Sequence, residues 1–127
     1  MVTTLTDYGS EVNLQNALVY SDNIYFARAA LDIGADTMIE GMRRAGFEEE
    51  LPFDIGAQVS TFGTDSKISS EIQLADTGYG QGVLLVNPIH LASIYSAFVN
   101  EGNLILPVLQ LEEGQQAEYW TTDVFTE

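Results

Sequence analysis

The sequence is poor in cysteine, in basic residues and in long apolar runs. It has no cysteine, which excludes a disulfide framework and a thiolate metal site. Four Lys and Arg residues stand against 19 Asp and Glu residues, giving a net charge of −15. Because phosphate groups would be repelled, nucleic acid is excluded as a partner. No apolar run approaches the roughly 20 residues that cross a bilayer. The first residues also lack the basic and apolar regions of a signal peptide, so we expect any membrane anchor to lie outside this chain.

What is present predicts a mostly helical domain. Hydrophobic residues make up 46% of the chain, enough for a modest core in a single unit spanning 1–127. Apolar spacing, capping side chains and closing glycines predict helices. These lie at 14–20, 24–33, 37–45, 71–76 and 88–100. The corresponding N-caps are Asn13, Ser21 with Asp22, Asp36, Ser70 and Asn87. In the last helix, the spacing predicts a wide apolar face formed by Leu91, Ile94, Tyr95, Phe98 and Val99.

Shorter extended segments surround these helices. We predict strands at 2–6, near 58–60, at 104–111 and at 117–120, with a hairpin turn at 112–115. Pro107 should keep the third of these at a sheet edge, because proline cannot donate to a ladder. The predicted fold class is therefore α+β, mostly α.

The tripeptide Ser21-Asp22-Asn23 lies at the junction of the first two predicted helices. Serine, aspartate and asparagine are ordinary helix-capping residues, so a purely structural role remains open. A capped helix start is also a rigid place from which to present a hydroxyl and an amide. Asp22 is the residue expected to support the turn.

Other chemistry-bearing residues carry weaker signals. The glycine-rich segment 77–82 fits neither a P-loop nor a dinucleotide fingerprint and predicts a tight backbone passage. His90, the single histidine, is expected to be a surface or packing residue, because no nucleophile motif lies near it. The acidic run Glu48-Glu49-Glu50 predicts a solvated loop. No pattern indicates a metal site or a cofactor.

Three segments, taken in order, resemble the transpeptidase domain of class B penicillin-binding proteins. They are Ser-Asp-Asn-Ile-Tyr-Phe-Ala-Arg at 21–28, Leu-Ala-Asp-Thr-Gly-Tyr-Gly-Gln-Gly at 74–82, and the segment at 87–102, which opens with Asn-Pro-Ile-His-Leu-Ala. The resemblance is strongest to the low-affinity group that includes the methicillin-resistance protein of staphylococci. It implies the helical part of a penicillin-binding protein/serine β-lactamase-like domain, with most of the central sheet missing.

The resemblance also implies a chemistry and roles for residues. A serine in Ser-x-x-Lys attacks the D-Ala-D-Ala bond of a peptidoglycan stem peptide, and the acyl group passes to an amine. β-Lactams are attacked by the same serine. By resemblance, Ser21 would relay a proton to the leaving group, and Asn23 would hydrogen-bond the motif lysine and the substrate amide. Tyr79 and Gln81 would line the cleft wall.

Two parts of that apparatus are absent from these residues. Lys67, the only lysine, is preceded three residues earlier by Thr64 and followed by Ile68, so neither Ser-x-x-Lys nor Lys-Thr/Ser-Gly occurs. We therefore expect a middle segment of a transpeptidase domain that is inactive by itself, that self-associates through uncovered apolar surface, and whose parent acts outside the cytoplasmic membrane. The alternative is a self-contained acidic interaction module, with 21–23 acting only as a cap.

Overall fold

The computed structural model describes residues 12–125, and the predicted strand at 2–6 lies outside them. Within this range the chain forms five α-helices, one 3₁₀ segment and two strands. The helices are α1 (Leu14–Val19), α2 (Asn23–Ile33), α3 (Ala35–Arg44), α4 (Glu71–Gly78) and α5 (Pro88–Ser96), which continues as a 3₁₀ turn (Ala97–Val99). The strands are β1 (Leu104–Ile105) and β2 (Tyr119–Thr121). The prediction of a mostly helical α+β fold is confirmed.

The helix starts follow the capping chemistry of the sequence. Asn13, Ser70 and Asn87 each accept a hydrogen bond from a backbone N–H of the first turn, at 2.9, 3.2 and 2.9 Å. The prediction that Asp36 caps the third helix is wrong. That helix follows Gly34 directly, with no side-chain cap, and Asp36 lies in its first turn. The φ of +84° at Gly34 turns the chain sharply from α2 into α3, a conformation that glycine adopts readily.

Helices α2 and α4 pack closely because one of their contact residues is a glycine. A Cβ at Gly78 would lie 2.5 Å from the carbonyl oxygen of Phe26 and 2.6 Å from the Cβ of Ala30. The two backbones can therefore approach only while position 78 carries no side chain. This contact fixes the end of α4, and the loop that follows it, against the first half of α2.

The main hydrophobic core is separate from this contact and is formed around α3, α5 and both strands. Its buried members are Ala45, Phe47, Phe62, Ala97, Leu104 and Val124, and Trp120 packs against them. Strand β1 pairs with β2 in antiparallel fashion. The two strands thus fasten the chain after α5 to the core.

Most of the predicted apolar face of the last helix lies outside the core. Leu91, Tyr95, Phe98 and Val99 are 43%, 65%, 68% and 88% exposed. The side that faces the core instead carries the buried His90, Ser93 and Ala97. Apolar spacing could not reveal this, because the inner face is made of a histidine and small residues. An uncovered apolar face results.

The predicted C-terminal strands are longer than the observed ones. The predicted strand at 104–111 ends after Ile105, and Leu106 adds one further backbone bond, to Glu118 at 2.8 Å. Pro107 follows directly and cannot donate to a ladder, which explains the early end. The turn at 112–115 is confirmed by a bond of 3.0 Å from the Gln115 N–H to the Glu112 carbonyl. None of the helices between Val12 and Phe125 combines the length and apolarity that a bilayer crossing requires.

Candidate functional site

The junction between α1 and α2 is a helix C-terminus of the Schellman type. The Ser21 N–H donates to the Leu18 carbonyl at 3.3 Å, and the Asp22 N–H donates to the Ala17 carbonyl at 2.9 Å. These are the two bonds that define the motif when Tyr20 is the C-cap. Ser21 therefore occupies the position just after the cap, and its φ is +53°. It does not cap α2, contrary to the prediction.

Asp22 is the residue of the tripeptide that caps α2. Its carboxylate accepts from the backbone N–H groups of Ile24 and Tyr25 at 3.0 and 3.1 Å, and the residue is 4% exposed. Asn23 is the first residue of α2 and is half-buried. The buried carboxylate thus fixes the backbone between an exposed serine before it and an asparagine after it.

The residue at position 21 is unusual for its conformation. Glycine is the common residue after the C-cap, because left-handed backbone costs an L-residue roughly 1–2 kcal/mol. Ser21 accepts this cost while its side chain is exposed. A hydroxyl presented from a strained, fixed turn is typical of a functional position.

The glycine-rich loop after α4 is organised by Asp76. The Tyr79 hydroxyl donates to the Asp76 carboxylate at 2.5 Å, and the Gln81 N–H donates to the Asp76 carbonyl at 2.9 Å. A Cβ at Gly82 would lie 3.3 Å from the Asp76 Cβ. The hydrogen bond to Asp76, with burial and the carboxylate charge, raises the pKa of Tyr79 above its usual 10.0, so the phenol keeps its proton. Tyr79 is half-buried, and Gln81 is exposed.

The loop and the tripeptide belong to one packed unit. Gly78, next to Tyr79, contacts Phe26 of α2. Asn23 lies three residues before Phe26, which is roughly 4.5 Å along a helix axis. Tyr79 and Gln81 therefore come directly after a glycine that packs against α2 near its start.

A second serine, far from the tripeptide in sequence, contacts the only histidine. The Ser60 Oγ lies 2.7 Å from His90 Nδ1, and His90 Nε2 lies 2.6 Å from the Ala45 carbonyl oxygen. Both residues are 2% exposed. The imidazole packs between Phe47 and Trp120, with ring centroids 5.0 Å away on each side. We refer to these residues as the His90 cluster.

The hydrogen bonds of the His90 cluster assign its protons. A carbonyl can only accept, so Nε2 carries the proton, and Nδ1 accepts from the Ser60 hydroxyl. The Ser60 Oγ in turn accepts from the Asn87 N–H at 2.9 Å. Burial lowers the pKa of His90 below 6.5, against the opposing effects of the Ala45 carbonyl and the Glu49 charge. The ring is a neutral packing residue, and no nitrogen is left to act as a base on a substrate.

Sequence reasoning missed two residues that organise these sites. Asp76 was assigned only to the end of a helix, because its bond with the Tyr79 hydroxyl depends on the turn that follows that helix. Ser60 gave no local signal, since its partner lies 30 positions away. Among residues 12–125, no group of three or more histidine or carboxylate side chains is placed to hold a metal ion.

Comparison with known proteins identifies the family of the chain. The family model described as the penicillin binding protein transpeptidase domain matches residues 2–126. Penicillin-binding protein 3 of Bacillus subtilis is 46% identical over 125 residues, which are 98% of this chain and 19% of that protein. A probable peptidoglycan D,D-transpeptidase, PbpC of Pseudomonas aeruginosa, is 30% identical over 105 residues, covering 83% of this chain and 18% of the relative. The chain thus spans about a fifth of the length of these curated relatives.

Solved structures share the fold. A peptidoglycan glycosyltransferase from Burkholderia ambifaria superposes with a TM-score of 0.80 at 23% identity, over 98% of this chain and 39% of that one. PBPA from Mycobacterium tuberculosis gives a TM-score of 0.78 at 23% identity, over 93% and 30% of the two chains. With the family model matching nearly every residue, the chain belongs to the penicillin-binding protein transpeptidase domain family.

Proposed function

We propose that these residues supply the middle of the transpeptidase domain of a serine-type D,D-transpeptidase that cross-links peptidoglycan stem peptides. In the complete enzyme, the nucleophilic serine of Ser-x-x-Lys attacks the D-Ala-D-Ala carbonyl, the terminal D-Ala leaves with a proton, and an amine of a second strand takes the acyl group. Ser21 relays the proton to the departing amine. Asn23 hydrogen-bonds the motif lysine and the substrate amide.

One observation carries this proposal. Ser21 holds its exposed hydroxyl in a left-handed turn position where glycine would be more stable. Five other non-glycine residues between positions 12 and 125 also have positive φ, and Ser21 is the one that belongs to the tripeptide at the helix junction. Its neutral hydroxyl can both donate and accept, which a proton relay requires.

The roles of Tyr79 and Gln81 and the class of the parent enzyme are proposed from residues already described. Tyr79 and Gln81 form the cleft wall, and Asp76 holds the ring of Tyr79 in place. The three segments quoted above support placing the parent among class B enzymes, in the low-affinity group that resembles the methicillin-resistance protein. Such a parent acts on the outer face of the cytoplasmic membrane, anchored by a segment not in this chain.

By itself, the 127-residue chain should have no transpeptidase activity. It contains neither the nucleophile motif nor the Lys-Thr/Ser-Gly strand, and positioned helper groups cannot replace a missing nucleophile. Incubation with a fluorescent penicillin should leave the chain unlabelled. Covalent labelling at any residue would show that the inactivity proposed here is wrong.

A chimaera tests the roles of the residues directly. Residues 2–126 would replace the matching segment of Bacillus subtilis penicillin-binding protein 3, and acylation by fluorescent penicillin would be timed. We expect labelling of the chimaera, and a loss of about 100-fold or more in its rate with Ser21→Ala or Asn23→Ala. The control Gln15→Ala, on an exposed position of α1, should not change it. Equal rates in all variants would show that Ser21 and Asn23 take no part in acylation.

We also infer that the isolated chain self-associates through the uncovered face of α5. Tyr95 and Phe98 are in ring contact at 5.8 Å, and Phe98 stacks on Phe125 at 5.0 Å with an interplanar angle of 15°. Contiguous aromatic surface of this kind favours association. Sedimentation should show concentration-dependent dimers that Phe98→Ser abolishes. Ile72→Ser, which removes an isolated side chain 76% exposed on α4, should not. A monomer at every concentration would contradict the inference.

A further inference from the structure

A concavity of about 550 Å³ lies between α3 and the turn at 64–67, on a part of the molecule that the proposed reaction does not use. Its walls carry both signs of charge from two separate elements. Helix α3 and the turn together contribute six charged side chains: Asp36, Glu40, Arg43, Arg44, Asp65 and Lys67.

The distribution of charge singles this concavity out. The chain has a net charge of −15 and only 4 Lys and Arg residues. Three of these four basic residues line the concavity. Helix dipole effects account for an acid in the first turn of α3 and for Arg43 and Arg44 in its last. They do not account for Lys67 and Asp65, which face α3 from the turn. Within the part of the chain that the structure describes, no ion pair joins these side chains to one another.

The turn that presents Asp65 and Lys67 is rigid. Asp65 and Ser66 have φ of +54° and +55°, the two left-handed positions of a tight hairpin turn that usually carries glycine. A Cβ at Gly63 would lie 2.0 Å from the Lys67 carbonyl oxygen. The Gln73 side chain donates to that carbonyl at 3.0 Å and accepts from the Ser69 N–H at 2.8 Å. Backbone strain held in this way is typical of ligand clamps.

The basic side chains are not equally available. Arg44 donates to the backbone carbonyls of Asp123 and Val124 at 2.6 and 3.3 Å, so its guanidinium is engaged. Arg43 lies over the ring of Phe62, with 5.9 Å between the guanidinium carbon and the ring centroid. Among the described residues, no hydrogen bond or ion pair engages the Arg43 N–H groups, so they remain available to an anion. Lys67 is exposed.

We propose that this concavity binds a short zwitterionic peptide, with its carboxylate on Arg43 and Lys67 and its ammonium group on the acidic side chains. A purely anionic ligand would be repelled by Asp36, Glu40 and Asp65, and a purely cationic ligand would be repelled by the three basic groups. A molecule carrying both charges satisfies both sets. The volume accommodates a peptide of a few residues.

The test is an NMR titration of the ¹⁵N-labelled 127-residue chain with tri-alanine and three capped forms. The N-acetyl form lacks the ammonium group, the amide form lacks the carboxylate, and the third form lacks both. Uncapped tri-alanine should give saturable shifts at the amides of the turn and the last turn of α3. Each single cap should weaken binding about fivefold, since one exposed charge contact contributes up to about 1 kcal/mol.

Charge-matched variants complete the test. Lys67→Gln and Arg43→Gln should each weaken binding of uncapped tri-alanine about fivefold. The control Arg28→Gln removes the same charge from the fourth basic residue, which lies beside Tyr25 and Asp32, and should leave binding unchanged. Because the Lys67 side chain is exposed, its variant should fold. No saturable shift, equal shifts with all four peptides, or an equal effect of Arg28→Gln would overturn the proposal.

Discussion

Ser21 and Ser60 each lie beside the start of a helix, and they differ in what their hydroxyls can still do. Ser60 lies in the His90 cluster, where the serine, the imidazole and the Asn87 N–H all use their hydrogen-bonding capacity on one another and on the Ala45 carbonyl. Ser21 lies exposed in a strained turn, held by a backbone motif and by the neighbouring Asp22. By distance alone, Ser60 and His90 form the more convincing catalytic pair. Availability to a substrate distinguishes the two serines, and it favours Ser21.

The unit that carries Ser21 also depends on a backbone contact, and the largest expected effect comes from breaking it. Gly78→Val would place side-chain atoms into the backbone of α2 near Phe26 and the Cβ of Ala30. Overpacking of this kind costs about 3 kcal/mol. Urea unfolding followed by circular dichroism should show this loss.

The matched control is another helical glycine. Gly41 in α3 has open space around the position of a Cβ, so Gly41→Ala should raise the free energy of unfolding by about 0.5–1 kcal/mol. If both variants had the same stability as the parent, the close approach of α2 and α4 would not hold the unit together.

The next effect concerns the His90 cluster. Ser60→Ala would leave the Asn87 N–H and His90 Nδ1 buried without their partner, and an unsatisfied buried group costs about 1–3 kcal/mol. The free energy of unfolding should fall by about 2 kcal/mol. The exposed serine Ser69 offers a control, although its hydroxyl contacts Gln73, and Ser69→Ala should change stability much less. A tolerated Ser60→Ala would mean that the cluster is not a structural unit.

Substitution of Ser21 should raise the free energy of unfolding, whereas substitution of Ser60 should lower it. Ser21→Gly would relieve the left-handed conformation at φ +53° and should raise the free energy of unfolding by about 1 kcal/mol. The suitable comparison is Glu48→Gly, which relieves the same left-handed conformation at φ +65°. A loss of stability with Ser21→Gly would show that the serine side chain supports the junction.

The smallest effect is the response of the His90 cluster to acid. The folded state holds His90 neutral because burial lowers its pKa, whereas the unfolded chain protonates it near 6.5. The contribution of His90 to stability is therefore complete above about pH 6.5 and decreases as the pH falls below it. Because His90 is the only histidine, its NMR titration is unambiguous. We expect a midpoint below 6.5, and a midpoint above 6.5 would contradict the buried neutral ring.

Most features that depend on neighbouring residues were predicted, although the caps assigned to Asp36 and Ser21 were wrong. The caps at Asn13, Ser70 and Asn87 and the stop at Gly34 use bonds within a few positions, so the pattern contains them. The tripeptide could be placed at a helix junction for the same reason.

Features that depend on contacts between residues distant in sequence were not predicted. Apolar spacing grouped Tyr95 and Phe98 on one face, but it could not show that α5 turns His90 and Ser93 to the core instead. The strand predicted at 104–111 ended early because its partner offers a short ladder and Pro107 follows. The left-handed turn at Ser21 was not predicted either, since a serine gives no sign of the conformation that glycine normally signals.

The comparison of Ser21 with Ser60 is tested most directly in the chimaera with Bacillus subtilis penicillin-binding protein 3. Acylation by fluorescent penicillin would be timed in Ser21→Gly and Ser60→Ala, with the rate expressed per folded molecule. Ser21→Gly should be at least as stable as the parent chimaera and yet acylate about 100-fold more slowly. Ser60→Ala should be less stable and acylate at the parent rate. A fast Ser21→Gly together with a slow Ser60→Ala would contradict the account.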